Sequence, residues 1–334
     1  MVPALRELGA DVQCIFSGRD PEKYFDMDVF GDNSVLVPGA GFSHKDGSLD
    51  KLGTYFNWAV QLPKIALNAT QLDVSEFDLV ISDMEPVSAL AARLKGIPCI
   101  ELSRHVSRNL GLEVEEQVGW IDRTAMNMLV PSDHQLGVHW HSFGQDNLIP
   151  PLLSVSREDI PEADLHQVLV YLNFESLEDI EGALSPHAQG TRFIVYSPKV
   201  SEVAERAGIT FKPLSREGFI GDMKLSSGLI ANAGFNASSE ALQLGKDVLV
   251  KPLGGQAEQV SNMQAIEYLN LGAGMRELDS DAIGTWLEKR GTFSKVQFPD
   301  DTAKRVAAWV LEGDWHKPED LSESLWADTN FEAS

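Results

Sequence analysis

The stretch Gly228–Asn262, "GLIANAGFNASSEALQLGKDVLVKPLGGQAEQVSN", carries the pattern that decides the fold. "GLIAN" is a short apolar run of strand length, and "NASSEALQLG" follows it as a helix that stops at Gly245. "DVLVKPL" is a second buried strand, and "QAEQVSNMQAIEYLNLG" is a second, longer helix. Strands joined through helices in this way lie parallel, and the crossover between them is right-handed.

The alternation continues upstream. "VLVYLNF" reads as a strand, "SLEDIEGAL" as a helix, "RFIVYS" as a strand, "VSEVAERAG" as a helix and "GFIGDMKLS" as a short helix. Before them, "NLIPPLLSVSREDIPEADLHQ" (Asn147–Gln167) is rich in Pro and Ser, lacks a clean period and reads as a linker. The first half alternates too. "VQCIFSG", "FDLVISD" and "IPCIEL" read as strands, and "SALAARLKG" as a helix closed by Gly96. "KLGTYFNWAVQLPKIALNAT" looks helical, with Pro63 as an interruption and Phe56, Trp58 and Leu62 as core residues. The expected fold is therefore α/β, with two Rossmann-like doubly wound domains facing one another across a cleft. Residues 1–150 form the first, residues 151–312 the second, and residues 313–334 a tail that packs back on the first. "MVPALREL" reads as the end of a helix with no strand and tight loop before it, so the expectation is a chain that starts at an internal methionine.

Composition narrows the function. Fifty acidic against 27 basic side chains give a net charge of −23, which repels nucleic acid and opposes broad docking to an anionic membrane surface. Two cysteines, Cys14 and Cys99, support neither a disulfide framework nor a cysteine zinc site. The start lacks the order of a signal peptide and no apolar run reaches spanning length, so a cytoplasmic protein is expected.

Ligands of doubly wound sheets bind beyond the carboxyl ends of the strands, so the loops after "GLIAN" and "DVLVKPL" are the candidate site. Gly234 suits a tight turn or a positive φ, and Asn236, Ser238 or Ser239 suits a helix cap. First-turn N–H groups then favour an anion, and the small Ala233, Gly234 and Ala237 let a pyrophosphate approach the backbone. Glu240, one turn on, can accept two hydrogen bonds from a ribose diol; it can equally complete a capping box. Gln256, Glu258 and Gln259 bunch acceptors and donors at the next helix start, which suits sugar hydroxyls as well as a solvated first turn.

These residues resemble the donor-binding half of GT-B glycosyltransferases, especially the peptidoglycan N-acetylglucosaminyltransferase and family 1-like enzymes. The resemblance rests on Gly234, Ser238, Ser239, Glu240, Leu244-Gly245-Lys246, Pro252, Glu258, Gln259 and Asn262. It implies that Gly234, Phe235, Asn236, Ala237, Ser238 and Ser239 hold the diphosphate of a nucleotide-sugar, and Glu240 its ribose. It implies that Glu258 and Gln259 touch the transferred sugar and that Phe211 or Leu214, in "TFKPLSREGF", lies near the base. Asp247 stands where the family often has Pro.

The implied reaction is metal-independent transfer from a nucleotide-sugar, a UDP-sugar by this reading, to an unidentified acceptor, with no cofactor. A non-hydrolysing nucleotide-sugar epimerase and a non-catalytic nucleotide-sugar-binding protein are the alternatives. Inversion needs a general base. Asp83 and Glu85 at a strand end, and His105 after the next strand, are the candidates, with Asp83 equally suited to capping the helix after Pro86. His139 and His141 alternate as on a strand and read as structural.

Overall fold

The computed structural model describes residues 1–18, 27, 30–31, 34–37, 44–45, 48–49, 51–104, 106, 130–157 and 160–332. The chain forms two compact units. The first comprises Met1–Lys45, Leu49–Leu152 and Asp301–Asp328, the second Asp46–Ser48, Leu153–Asp300 and Thr329–Ser334. The boundary thus differs from the expected one near the C-terminus. The helix Thr302–Glu312 joins the first unit, and the last residues join the second.

The first unit opens with α1 (Val2–Glu7), followed by β1 (Ile15–Ser17) and β2 (Val35–Val37), a parallel pair. Two short strands, β3 (His44–Lys45) and β4 (Ser48–Leu49), precede α2 (Lys51–Gln71). Pro63 lies inside α2 and does not end it. Leu62, expected in the core, is 43% exposed, while Ile65 and Ala69 are buried against Val74, Val87 and Ala91. The side chains of Phe56 and Trp58 fall outside the described part of α2.

Then come β5 (Val80–Ser82), α3 (Pro86–Lys95), β6 (Cys99–Ser103), β7 (His134–Val138) and β8 (Leu148–Ile149). The last four strands form a parallel sheet in the order β5-β6-β7-β8. Among the described residues no ladder joins β1–β2 to β5. Helix α3 stops at Gly96, whose φ of 69° is the left-handed conformation that only glycine adopts without a Cβ penalty.

The second unit holds β9 (Asp164–Tyr171), α4 (Leu177–Leu184), β10 (Arg192–Tyr196), β11 (Ala204–Arg206) and β12 (Ile209–Lys212). It continues with α5 (Arg216–Leu225), β13 (Ser226–Asn232), α6 (Phe235–Gln243), β14 (Asp247–Lys251), α7 (Ala257–Tyr268) and β15 (Gly272–Gly274). Its seven-stranded sheet runs β11-β12-β10-β9-β13-β14-β15, all parallel except the β11 edge.

The segment expected as the helix "VSEVAERAG" is instead a hairpin arm. Ala207 (φ 49°) and Gly208 (φ 77°) both take positive φ, the requirement of a two-residue turn that matches strand twist. The hairpin sets β12, whose Thr210–Lys212 opens the stretch "TFKPLSREGF", into the sheet.

Val168, Val170, Phe193, Val195, Phe211, Ile230 and Leu249 fill the core with Ile283 and Trp286 of α8 (Ser280–Lys289). Each large apolar side chain buried this way contributes about 1.5–3 kcal/mol. Strand β16 (Lys295–Gln297) is held beside α6 by Gln243, whose amide donates to Phe298 O (3.0 Å) and accepts from Phe298 N (2.8 Å). The chain then enters α9 (Thr302–Glu312) and α10 (Pro318–Ala327) of the first unit. Ser322 Oγ (2.5 Å) and Trp326 Nε1 (2.7 Å) both donate to Leu148 O and pin α10 on β8. The final strand, β17 (Asn330–Glu332), pairs antiparallel with β16.

Asp247 is buried at the start of β14, paired with Lys295 and accepting the Gly291 N–H at 2.5 Å. It therefore sits at the end of the strand remote from the carboxyl-end loops. Beside it, Lys246 is 4% exposed and donates to Lys224 O at 2.7 Å. Burial, with Lys295 adding, lowers its ammonium to about 8 from an ordinary 10.5. Between those values the unfolded chain binds the extra proton, so stability rises as pH climbs from about 8 toward 10.5. The slope contributed is at most about 1.4 kcal/mol per pH unit. Urea midpoints at pH 8, 9 and 10 should show this rise in the native chain and lose it in Lys246→Met.

Candidate functional site

Strand β9 pairs with β10 on one side and β13 on the other. Counted along the chain, the parallel strands stand in the order 3-2-1-4-5-6, and connections leave β9 in opposite directions. The crevice this opens lies at the carboxyl ends of β9 and β13. The loops there are 172–176, 233–234 and, after β14, 252–256.

Helix α6 begins in that crevice with Gly234 as N-cap and no side-chain cap. Helices α3, α4, α5 and α8 are capped by Glu85, Ser176, Ser215 and Asp279, while α1, α7, α9 and α10, like α6, have no side-chain cap. Two expectations are corrected here. Gly234 has φ −72° and ψ 144°, extended backbone rather than a positive φ, and a Cβ built on it would meet no atom within 4 Å. The serines do not cap. Ser238 Oγ donates back to Gly234 O (2.9 Å) and Ser239 Oγ to Phe235 O (2.7 Å), and both residues are fully buried. The residues that reach the surface are Gly234, Phe235, Asn236 and Ala237, the first turn itself. An α-helix leaves its first N–H groups without intrahelical partners, so a turn without a side-chain cap offers them to an anion.

Glu240 sits one turn on, its side chain 9% exposed. Arg216, the first residue of α5, meets it as a fork, with Nη1 on Oε2 at 2.9 Å and Nη2 on Oε1. Sequence reading missed Arg216, although its place directly after the cap Ser215 faces the same end of the sheet.

Helix α7 braces both loops. Asn262, fully buried, donates from Nδ2 to Ala233 O (2.9 Å), and Gln259 Oε1 accepts the Leu253 N–H (2.9 Å). Gln259 thereby commits its carbonyl to the loop and keeps its amide N–H donors, while Glu258 is half-buried in the first turn. Gln256 Oε1, before α7, and Asn173 Oδ1, after β9, are buried with no hydrogen-bond partner among the described residues. Glu175 and Lys251 form a buried ion pair (2.7 Å), and Asn232 Nδ2 donates to the same carboxylate (3.4 Å). This pair ties the ends of β9, β13 and β14, and no pattern in the sequence announces it.

Near the expected base position, Leu214 is 38% exposed but Phe211 is 1% exposed in the core of the sheet. The ring of Phe211 is therefore a packing group, because its β12 position points into the apolar layer.

The first-unit candidates divide. Asp83 is exposed just after β5, beside Met84 at φ 52°. Glu85, expected as a base, is the cap of α3. Its Oε1 accepts from Val87 N (2.9 Å) and Ser17 Oγ (2.5 Å), and its Oε2 from Ser88 N (2.6 Å). The cap role considered for Asp83 thus belongs to Glu85, because Pro86 opens the helix immediately after it. His105 lies outside the described residues. His139 is fully buried and its Nδ1 accepts from Trp140 N (2.7 Å). Burial, then Arg104 and His141, pushes its imidazole well below the ordinary value. His141, lowered by burial as well, takes the Phe143 N–H on Nδ1 (2.9 Å).

Among the described residues no group of three His, Cys, Asp or Glu side chains is placed to hold a metal, and no helix is long and apolar enough to cross a membrane. Two Asp-x-Asp tripeptides occur, 26–28 and 279–281. In the second, Asp279 caps α8 by accepting from Asp281 N and Ala282 N, both at 3.2 Å; the aspartates of the first lie outside the described residues.

Comparison with known proteins places this geometry. The family model for glycosyl transferase family 1 matches residues 4–290. A search of curated proteins finds no match. Among solved structures, the glycotransferase of kitacinnamycin superposes with a TM-score of 0.57 at 14% identity, over 98% of this chain and 93% of that one. UGT89C1 of Arabidopsis thaliana, complexed with UDP, gives 0.55 at 14% identity over 97% and 91%. SsfS6 of Streptomyces sp. SF2575, complexed with thymidine diphosphate, gives 0.54 at 16% identity over 98% and 95%. At such identities the structures speak for the fold, and the family match for the lineage. The chain belongs to glycosyl transferase family 1 and has the GT-B fold.

Proposed function

We propose that the chain transfers a sugar from a nucleoside diphosphate sugar to an acceptor hydroxyl or amine, with no cofactor. The observation that carries this reading is the first turn of α6. It starts without a side-chain cap at the switch of the sheet, behind a glycine whose missing Cβ leaves open space. A diphosphate seated there accepts from the turn's N–H groups and lies on the positive end of the helix dipole. As the glycosidic bond breaks, the same groups stabilise the charge gathering on the leaving phosphate, the task a metal ion performs in other designs. Glu240 then lies at the ribose, Leu214 near the base, and Glu258 with the Gln259 amide at the sugar. The UDP-sugar expected from the sequence and a thymidine diphosphate sugar share the diphosphate that this turn addresses. Asp83, exposed at the carboxyl end of β5, is the carboxylate proposed to take the acceptor proton.

Gly234→Ala separates the ligand role from a folding role. The added methyl meets no protein atom, so thermal and urea stability should change by no more than about 1 kcal/mol, the cost of alanine at an N-cap. Calorimetric titration with UDP and thymidine diphosphate should nonetheless show affinity lost by tenfold or more, on the order of 1.4 kcal/mol; unchanged affinity for both would remove the diphosphate from α6. Glu258→Ala should weaken binding of whole nucleotide-sugars by about 1.5–3 kcal/mol, a charged hydrogen bond. It should leave the bare nucleoside diphosphate alone, and equal losses for the two ligand types would contradict the sugar contact.

A further inference from the structure

A carboxylate offers its two oxygens to a vicinal diol and to a guanidinium along the same fork, one lone pair from each oxygen on the open side. In this structure that side of Glu240 is already taken. Arg216 Nη1 donates to Oε2 at 2.9 Å and Nη2 to Oε1, the two-bond arrangement that is the strongest a carboxylate makes with a side chain. The guanidinium is stationed from a third direction as well, since Nη2 reaches Ser154 Oγ at 3.3 Å. Backbone holds both partners in place. Arg216 opens α5 directly after the cap Ser215, whose Oγ accepts from Gly218 N at 3.1 Å, and Glu240 is set in a buried turn of α6.

From this we infer that Arg216 is a specificity-determining residue that disfavours a ribose diol, so that the site takes a 2′-deoxynucleoside diphosphate sugar. The inference rests on the donor site proposed above. Two hydroxyls, 2′ and 3′, can engage Glu240 together only by displacing a charge-assisted fork with two neutral donors. A deoxyribose brings one hydroxyl, which needs one of the lone pairs that the fork leaves over, and Arg216 stays where it is. Arg216 is 41% exposed on its side chain, so a displaced guanidinium regains water and the penalty on ribose is partial. Ribose is therefore disfavoured relative to deoxyribose without being shut out.

The test is a ratio of affinities, measured by calorimetry with UDP and 2′-deoxy-UDP, which differ only at the 2′ position. The native chain should bind 2′-deoxy-UDP at least as tightly as UDP. In Arg216→Met the fork side of Glu240 is opened, and UDP should gain about tenfold on 2′-deoxy-UDP, the scale of one hydrogen bond to a charged group. Arg216→Gln, which keeps polar contact with less charge, should fall between. A ratio within one protein cancels any general loss of stability, and the native ratio needs no variant at all. UDP bound about tenfold tighter than its deoxy form by the native chain, or a ratio that Arg216→Met leaves unmoved, would overturn the inference while leaving the donor site standing. Binding of neither nucleotide would overturn the donor site itself and this inference with it.

Discussion

The reversal at β9 is the constraint on which the site depends. A parallel ladder on both sides of one strand obliges the chain to leave it first in one direction and later in the other. The connections that leave β9 and β13 then run in opposite directions, and their loops meet at the carboxyl ends of the two strands. Buried polar groups gather there: the Glu175–Lys251 pair, Asn232, and the amide oxygens of Asn173 and Gln256. Each would be costly in a closed core.

What the crevice offers a ligand follows from how helix starts are finished. Four helices satisfy first-turn N–H groups with a Ser, Asp or Glu, whereas α6 and α7, which start at the loops after β13 and β14, have no side-chain cap. The serines of α6 turn back onto carbonyls of their own turn, where they are buried and fully occupied with structure. The turn is kept in place from behind, through Asn262 on Ala233 O, while Gln259 fixes the neighbouring loop through Leu253 N. One helix thus sets the distance between the diphosphate and sugar ends of the proposed site. In the first unit the same logic runs the other way, and Glu85 is consumed as a cap with three hydrogen bonds.

Much of this was legible. The strand and helix runs of the second unit, and the loops after "GLIAN" and "DVLVKPL" at one end of its sheet, follow from the spacing of apolar and turn residues. The misreadings share a cause. "VSEVAERAG" has helical composition, yet a turn with two positive φ values made it an edge strand. The resemblance implies Phe211 or Leu214 near the base, but the strand register of Phe211 sends its ring inward. Pro63 was expected to break a helix that tertiary packing through Ile65 and Ala69 keeps whole.

Sequence alone determined the alternation of elements and the class of fold, because hydrophobic periodicity is a local property. Which oxygen meets which nitrogen was decided only by tertiary structure. Arg216 and Glu240 are 24 residues apart, Glu175 and Lys251 are 76 apart, and Asn262 reaches Ala233 across 29. Such contacts exist only once the sheet has brought separate strand ends to one edge, and no spacing within a single element encodes them.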